Sequence, residues 1–213
     1  MARTSSKRKG GGRKTFAILV DGETEKWYLD KLRAFENPAG ISIKPDLPGK
    51  KTLADQFEAL KRNAEIYDVS IWIVDLDVII LDKQECEFHD YLKEIAKNKA
   101  LYNKVHILVN APSLEFWFLQ HVKDIGRYFA DCNSVIAELK KYHPLKEYSK
   151  SEKYFIRGKP DIYERLRPHL SDALTFAKRR GNYDPQCPKR GVAELYRLFE
   201  LLGVNESKNG GKI

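Results

Sequence analysis

Three carboxylates, Asp21, Glu23 and Glu25, stand around Gly22 in the run Phe16-Ala-Ile-Leu-Val-Asp-Gly-Glu-Thr-Glu-Lys-Trp-Tyr28. A second acidic pair, Asp75 and Asp77, follows the apolar run from Val69 to Val74. A fifth candidate, Glu115, lies in the run from Asn110 to His121. Carboxylate oxygens suit Mg²⁺ or Mn²⁺, and two or three of them from different elements suffice to hold such an ion against substrate phosphates. In extended backbone Asp75 and Asp77 project from one face and could reach one metal or a metal pair. Glu25, in a first helical turn, can point back toward Asp21. Simpler explanations exist for some of these acids. The helix dipole accounts for Glu23 and in part for Glu25, and a strand-terminal Asp is often a turn residue. Two acids after a buried strand, however, are costly without a compensating cation.

The elements that must position these acids alternate. Thr15 to Val20 reads as a doubly covered strand, and Glu23 to Phe35 as a helix stopped by Asn37-Pro38 and Gly40. A short strand over Ile41 to Asp46 and a helix from Thr52 to about Tyr67 follow. Val69 to Val74 is β-branched and strand-like; Val78 to Leu81 continues it or forms a loop. A helix over Lys83 to Lys99, a strand over Lys104 to Asn110 and a helix over Ser113 to His121 complete a β-α-β-α order, the pattern of a parallel sheet. Acids at strand C-termini lie where such sheets bind ligands. Segments 132–142, 160–168, 171–180 and 191–202 read as helices, and 143–159 as a loop.

Taken together, the motifs resemble a known family. The turn Asp21-Gly-Glu-Thr-Glu25 resembles the Glu-Gly-x-Thr-Glu opening of Toprim domains of the overcoming-lysogenization-defect type. Asp75-x-Asp77 matches the second Toprim motif. The run Ser113-Leu-Glu-Phe-Trp-Phe-Leu-Gln-His121 is similar to the signature of RloB-like proteins, which are linked to abortive infection and phage defence. The resemblance implies an α/β fold: a Toprim-like Rossmannoid parallel sheet flanked by helices, with a C-terminal helical region. The chain itself divides into a basic tail over residues 1–14, a Toprim-like core over 15–125 and a helical region over 126–213, and a helical C-terminal region also suits the family. The resemblance also implies a Mg²⁺- or Mn²⁺-dependent nuclease acting on RNA, such as tRNA, or DNA. Asp21, Glu25, Asp75 and Asp77 would be the metal ligands and Glu115 a further catalytic acid. A requirement for a partner ATPase stays open. Two departures stand out. Asp21 replaces the family's Glu and is one methylene shorter. Ala111-Pro112-Ser113-Leu114 replaces the usual Asn-Pro and small residue, so the local turn can differ.

Composition narrows the alternatives. The 213 residues suit one domain with a small appendage, 42% hydrophobic and 32% charged. No apolar run is long enough to span a bilayer and no secretory signal pattern occurs, so a cytoplasmic protein is expected. Three scattered cysteines suit a reducing compartment. Six basic residues within positions 1–14 leave +2 of the +8 net charge for the rest. That glycine-rich basic arm reads as disordered, and serves either as a phosphate contact or as a solubilising tail. Basic-aromatic stretches make Arg157, Lys159, Arg179 and Arg180 candidate nucleic-acid contacts, although a solvated helix face explains them equally. His121 is a candidate phosphate contact, with a core or surface histidine the plain alternative. Cys86-x-x-His89 is half a zinc spacing without a second half. No phosphate-loop or nucleophile-elbow motif occurs. Two other functions compete with the nuclease: a nucleic-acid-binding or partner-regulated module with a degenerate site, and a nucleotide-sugar transferase using Asp75-x-Asp77.

Overall fold

The computed structural model describes residues 14–38, 41–46 and 52–204, with side chains outside 41–46. The basic arm read as disordered lies outside the described residues, except for Lys14. β1 (Lys14–Leu19) leads through Gly22 into α1 (Glu23–Glu36), and β2 (Ile41–Asp46) follows. α2 (Leu53–Ile66) begins at a capping box in which Thr52 and Asp55 satisfy each other's backbone N–H groups. β3 (Val69–Asp75) passes directly into α3 (Leu76–Leu81). Next come α4 (Glu85–Lys97), α5 (Lys99–Tyr102), β4 (Val105–Ala111) and α6 (Leu114–Gln120).

Strands β1 to β4 are parallel in the order β2-β1-β3-β4. The order reverses between β1 and β3, so the loops after these two strands diverge and open a crevice at their C-terminal ends. Asp21 follows β1 and Asp75 ends β3 at that crevice. Asn110 lies in register with Asp75 on β4.

All seven β3 residues are buried, as expected for a strand covered on both faces. Alternation decides the partners. Val69, Ile71 and Ile73 join a cluster with Tyr28 of α1 and Phe116 to Leu119 of α6. Trp72 and Val74 join the opposite cluster with Phe57 and Leu60 of α2 and Phe88 of α4.

The remaining chain closes over the α1 and α6 face. It comprises α7 (Cys132–Leu139), a π-helical turn over Lys153–Arg157, α8 (Ile162–Leu166), a 3₁₀ turn over Arg167–His169, α9 (Leu170–Arg180), β5 (Val192–Ala193) and α10 (Leu195–Leu202). Phe129, Tyr148, Phe155, Tyr163 and Phe199 enter the same cluster as β1 and α6. β5 pairs antiparallel with the end of β4. Among the described residues no helix is long and apolar enough to cross a membrane.

Four expectations are corrected. The apolar run after Asp75 is helix α3, not more strand or a loop. Asp75 and Asp77 therefore do not share a face of one extended strand: Asp75 closes β3 and Asp77 sits in the first turn of α3. The Asp77 N–H donates to Pro112 O at 3.0 Å, tying this turn to the β4–α6 junction. The segment from 191 opens as strand β5 before α10 begins, and the stretch 143–159 contains a helical turn.

Candidate functional site

Gly22 sets the first wall. It is extended, at φ −145°, and a Cβ there would lie 2.6 Å from Glu25 Oε2. The absence of a side chain lets the Glu25 carboxylate fold back over the turn, where Thr24 Oγ1 donates to it at 3.1 Å. Asp21 Oδ2 accepts the backbone N–H of Asp75 at 3.2 Å, which joins the β1 and β3 ends. Asp75 is buried, and Asn110 Nδ2 donates to its Oδ1 at 3.4 Å. The other amide atom, Asn110 Oδ1, is buried without a hydrogen-bond partner among the described residues.

Glu115 forms the far wall and is fully buried. Tyr148 Oη donates to it at 2.6 Å, Ser113 Oγ at 2.7 Å and Cys132 Sγ at 3.1 Å. The half-exposed Lys150 ammonium lies 3.0 Å from Oε1. Asp77 accepts the Cys132 N–H at 3.0 Å, so one residue at the start of α7 bridges two of the acids.

The electrostatics divide the acids into two groups. Burial raises the Asp21 carboxyl to about 6, against the lowering effect of the Asp75 N–H. Burial likewise raises Glu25 to about 7, with Glu115 and Asp21 adding to the rise. Asp75 is pushed well above its ordinary value by burial, then by the charges of Glu25, Glu115, Asp21 and Asp77. Burial also raises Asp77, partly offset by the Cys132 N–H and by Lys150. Glu115 goes the other way. Burial pushes it up, but Lys150, Tyr148, Ser113 and Cys132 together hold it below its usual range. In return burial and then Glu115 raise the Cys132 thiol to about 12, and Glu115 keeps the Lys150 charge in place. The site is thus a set of mutually repelling carboxylates bordered by one fixed ion pair.

Asp21, Glu25, Asp75, Asp77 and Glu115 therefore face one another closely enough to shift one another's ionisation. Among the described residues no group of three or more His, Cys, Asp or Glu is arranged to hold a metal ion as the side chains stand. The donor chemistry nevertheless fits a hard divalent cation. The groups are oxygens, the carboxyls are raised by burial and by one another's charge, and Asn110 Oδ1 is an unsatisfied acceptor beside Asp75 among the described residues.

The predicted nucleic-acid contacts lie elsewhere. His121 is corrected: it is buried, T-stacked against Trp117, with Nδ1 bonded to Trp117 O at 3.0 Å. Burial drives its pKa to about 3, so it is a neutral core residue with no surface to offer a phosphate. Arg179 and Arg180 both pair with Asp124, and Arg180 also donates to Gln120. Arg157 pairs with Glu152, and Lys159 is exposed.

A family model described as RloB-like protein matches residues 16–202. The chain belongs to the RloB-like family. No curated protein and no solved structure matches it. The matched span contains all five acids together with Lys150, so the site lies inside the family region.

Sequence reasoning did not find Lys150, Tyr148, Ser113, Cys132 or Asn110. Lys150 and Tyr148 sat in a stretch read as loop. Their signal is the crowding of Tyr and Lys between 142 and 154, but their partner Glu115 is more than thirty residues away.

Proposed function

We propose that this RloB-like protein is a Mg²⁺- or Mn²⁺-dependent phosphodiesterase of Toprim type that cleaves RNA or DNA in phage defence. The observation that carries the reading is the convergence of Asp21, Glu25, Asp75 and Asp77 at the switch point of the sheet, with the Glu115–Lys150 pair on the border. Asp21, Glu25, Asp75 and Asp77 would hold the cation, with Asn110 Oδ1 beside them. Once bound, it supplies charge stabilisation at a phosphate and lowers the pKa of a water.

The chain's own groups do the rest. Lys150 presents three N–H donors on a flexible stem next to the acids, which suits the non-bridging oxygens of a phosphodiester. Glu115 fixes the position of that ammonium. Tyr148 and Ser113 hold Glu115 in turn, so the Lys150 charge is set in place before substrate arrives, as electrostatic catalysis requires.

Incubation of labelled RNA and DNA with Mn²⁺ tests the reading, comparing the wild type with Asp75→Ala. Cleavage by the wild type alone is expected. Equal cleavage by both sinks the assignment.

One observation favours a second reading, a nucleic-acid-binding or partner-regulated module with a degenerate site. Asp21 is shorter than the Glu of Toprim relatives, and its Oδ2 is already engaged by a backbone N–H. Metal-independent binding without turnover under any divalent cation would support this reading.

A further inference from the structure

Behind Lys150 lies a cavity of about 630 Å³ that the acidic site does not use. Ser149, Ser151, Lys153, Tyr154, Arg157 and Arg165 line it, with Glu147 as the lining carboxylate. Three cations against one lining acid leave it positive, although Glu152 already pairs with Arg157. Lys153 is exposed and makes no ion pair among the described residues.

Its floor is built. The Arg165 guanidinium lies 4.4 Å from the centre of the Tyr154 ring, and its Nε donates to Pro160 O at 2.7 Å. Gly158 makes room for this, since a Cβ there would lie 2.8 Å from Arg165 Nη2. Tyr154 is nine-tenths buried, and its hydroxyl, beside the Arg165 guanidinium, lacks a well-formed hydrogen bond among the described residues. A buried hydroxyl left unpaired costs stability, so its presence in a cationic cavity points to a ligand acceptor.

The cavity and the acidic site share a wall. Tyr148, whose hydroxyl holds Glu115, packs edge-on against Tyr154 at 5.5 Å between ring centres. Lys150 turns to Glu115, while its neighbours Ser149 and Ser151 line the cavity. Adjacent residues are about 3.8 Å apart, so the cavity borders the residue whose ammonium faces the acids.

We propose that this cavity receives a nucleotide flanking the one at the acidic site, and that the substrate is therefore single-stranded. The proposal rests on the phosphodiesterase reading for its direction but stands on the cavity for its chemistry. Its volume matches one small-molecule-sized ligand. A duplex keeps its phosphates on a stiff cylinder with the bases stacked inside and cannot enter such a concavity, whereas a single strand can bend a phosphate into it.

The test is binding of a labelled single-stranded RNA of mixed sequence to the full chain in EDTA, measured by fluorescence anisotropy against salt. Without divalent cation the result is independent of cleavage, so a failure here and a failure of the nuclease reading are separate outcomes. Lys153→Glu, at an exposed position, is expected to weaken binding about tenfold, and Lys153→Ala to reduce the salt slope by roughly 0.7. Tyr154→Phe is expected to weaken binding while leaving the melting temperature unchanged or raised, which loss of a merely structural hydroxyl bond would not do. Unchanged affinity in Lys153→Glu and Tyr154→Phe overturns the proposal. Duplex RNA bound as tightly as the single strand also overturns it. Displacement of the strand by an equal concentration of nucleoside 5′-monophosphate would assign the cavity to a free nucleotide and overturn the strand.

Discussion

Burial raises both the Glu25 and the Asp75 carboxyls, and the charges of neighbouring acids add to the rise. A carboxyl raised in the folded state binds its proton more tightly there than in the unfolded chain. Between about pH 4 and pH 7 the folded state therefore holds more protons, and stability falls as pH rises through that window. His121 opposes this below its ordinary value, because its folded pKa is depressed to about 3. Glu25→Gln isolates the acid, since His121 is common to both proteins. In chelator, this variant should gain about 1–3 kcal/mol over the wild type at pH 8 and little at pH 5. Thermal melts at the two pH values check this; a gain that grows toward acid pH contradicts it. Lys150→Ala leaves Glu115 without its cation and is expected to lower turnover by about 10²- to 10³-fold. Steady-state kinetics decide between that loss and a change confined to KM. Gly22→Ala places a Cβ against a flexible carboxylate end, so it should barely change the melting temperature while displacing Glu25 and weakening Mn²⁺ binding. Calorimetry with Mn²⁺ reads the outcome directly.

At the scale of elements, the parallel strands and the first helices were legible because their periodicity is strong and local. The acids at three strand-helix junctions were legible for the same reason, since a carboxylate after an apolar run stands out. What escaped was set by distance or by length. The run Val78 to Leu81 is apolar and largely β-branched, so its composition favours strand, yet Asp75 ends β3 and the N–H of Asp77 turns to Pro112 O. Strand β5 has two residues, too few for any alternation to register. His121 looked like a phosphate ligand because its neighbours are motif-like, but α6 is buried at all seven positions and carries the histidine inward at its end. The capping box of α2 was readable in part, with Thr52 identified from sequence and Asp55 from the structure. Thr52→Ala should cost about 1 kcal/mol, seen as a lower denaturant midpoint.

For the whole molecule, the C-terminal helices and the sheet share one apolar cluster, running from Phe16 and Tyr28 through Trp117 to Tyr163 and Phe199. A buried bond across this join, from Tyr163 Oη to Glu36 Oε1 at 2.7 Å, is reinforced by Arg167 at 2.5 Å. Tyr148 and Lys150, which set the charge of Glu115, also belong to the later part of the chain. A chain cut after residue 125 would expose that cluster and strip Glu115 of its partners. It is expected to lose cooperative unfolding, as followed by circular dichroism.

Everything at the site turns on whether the raised carboxyls are a cation's seat. The most direct measurement is a crystal of the protein soaked in Mn²⁺, with anomalous scattering recorded at the manganese edge. A peak within ligand distance of Asp75 and at least two of Asp21, Glu25 and Asp77 is the result expected, with Asn110 Oδ1 turned toward it. Ordered side chains with no peak among them, or a peak bound only elsewhere, would contradict the assignment of a metal-dependent centre.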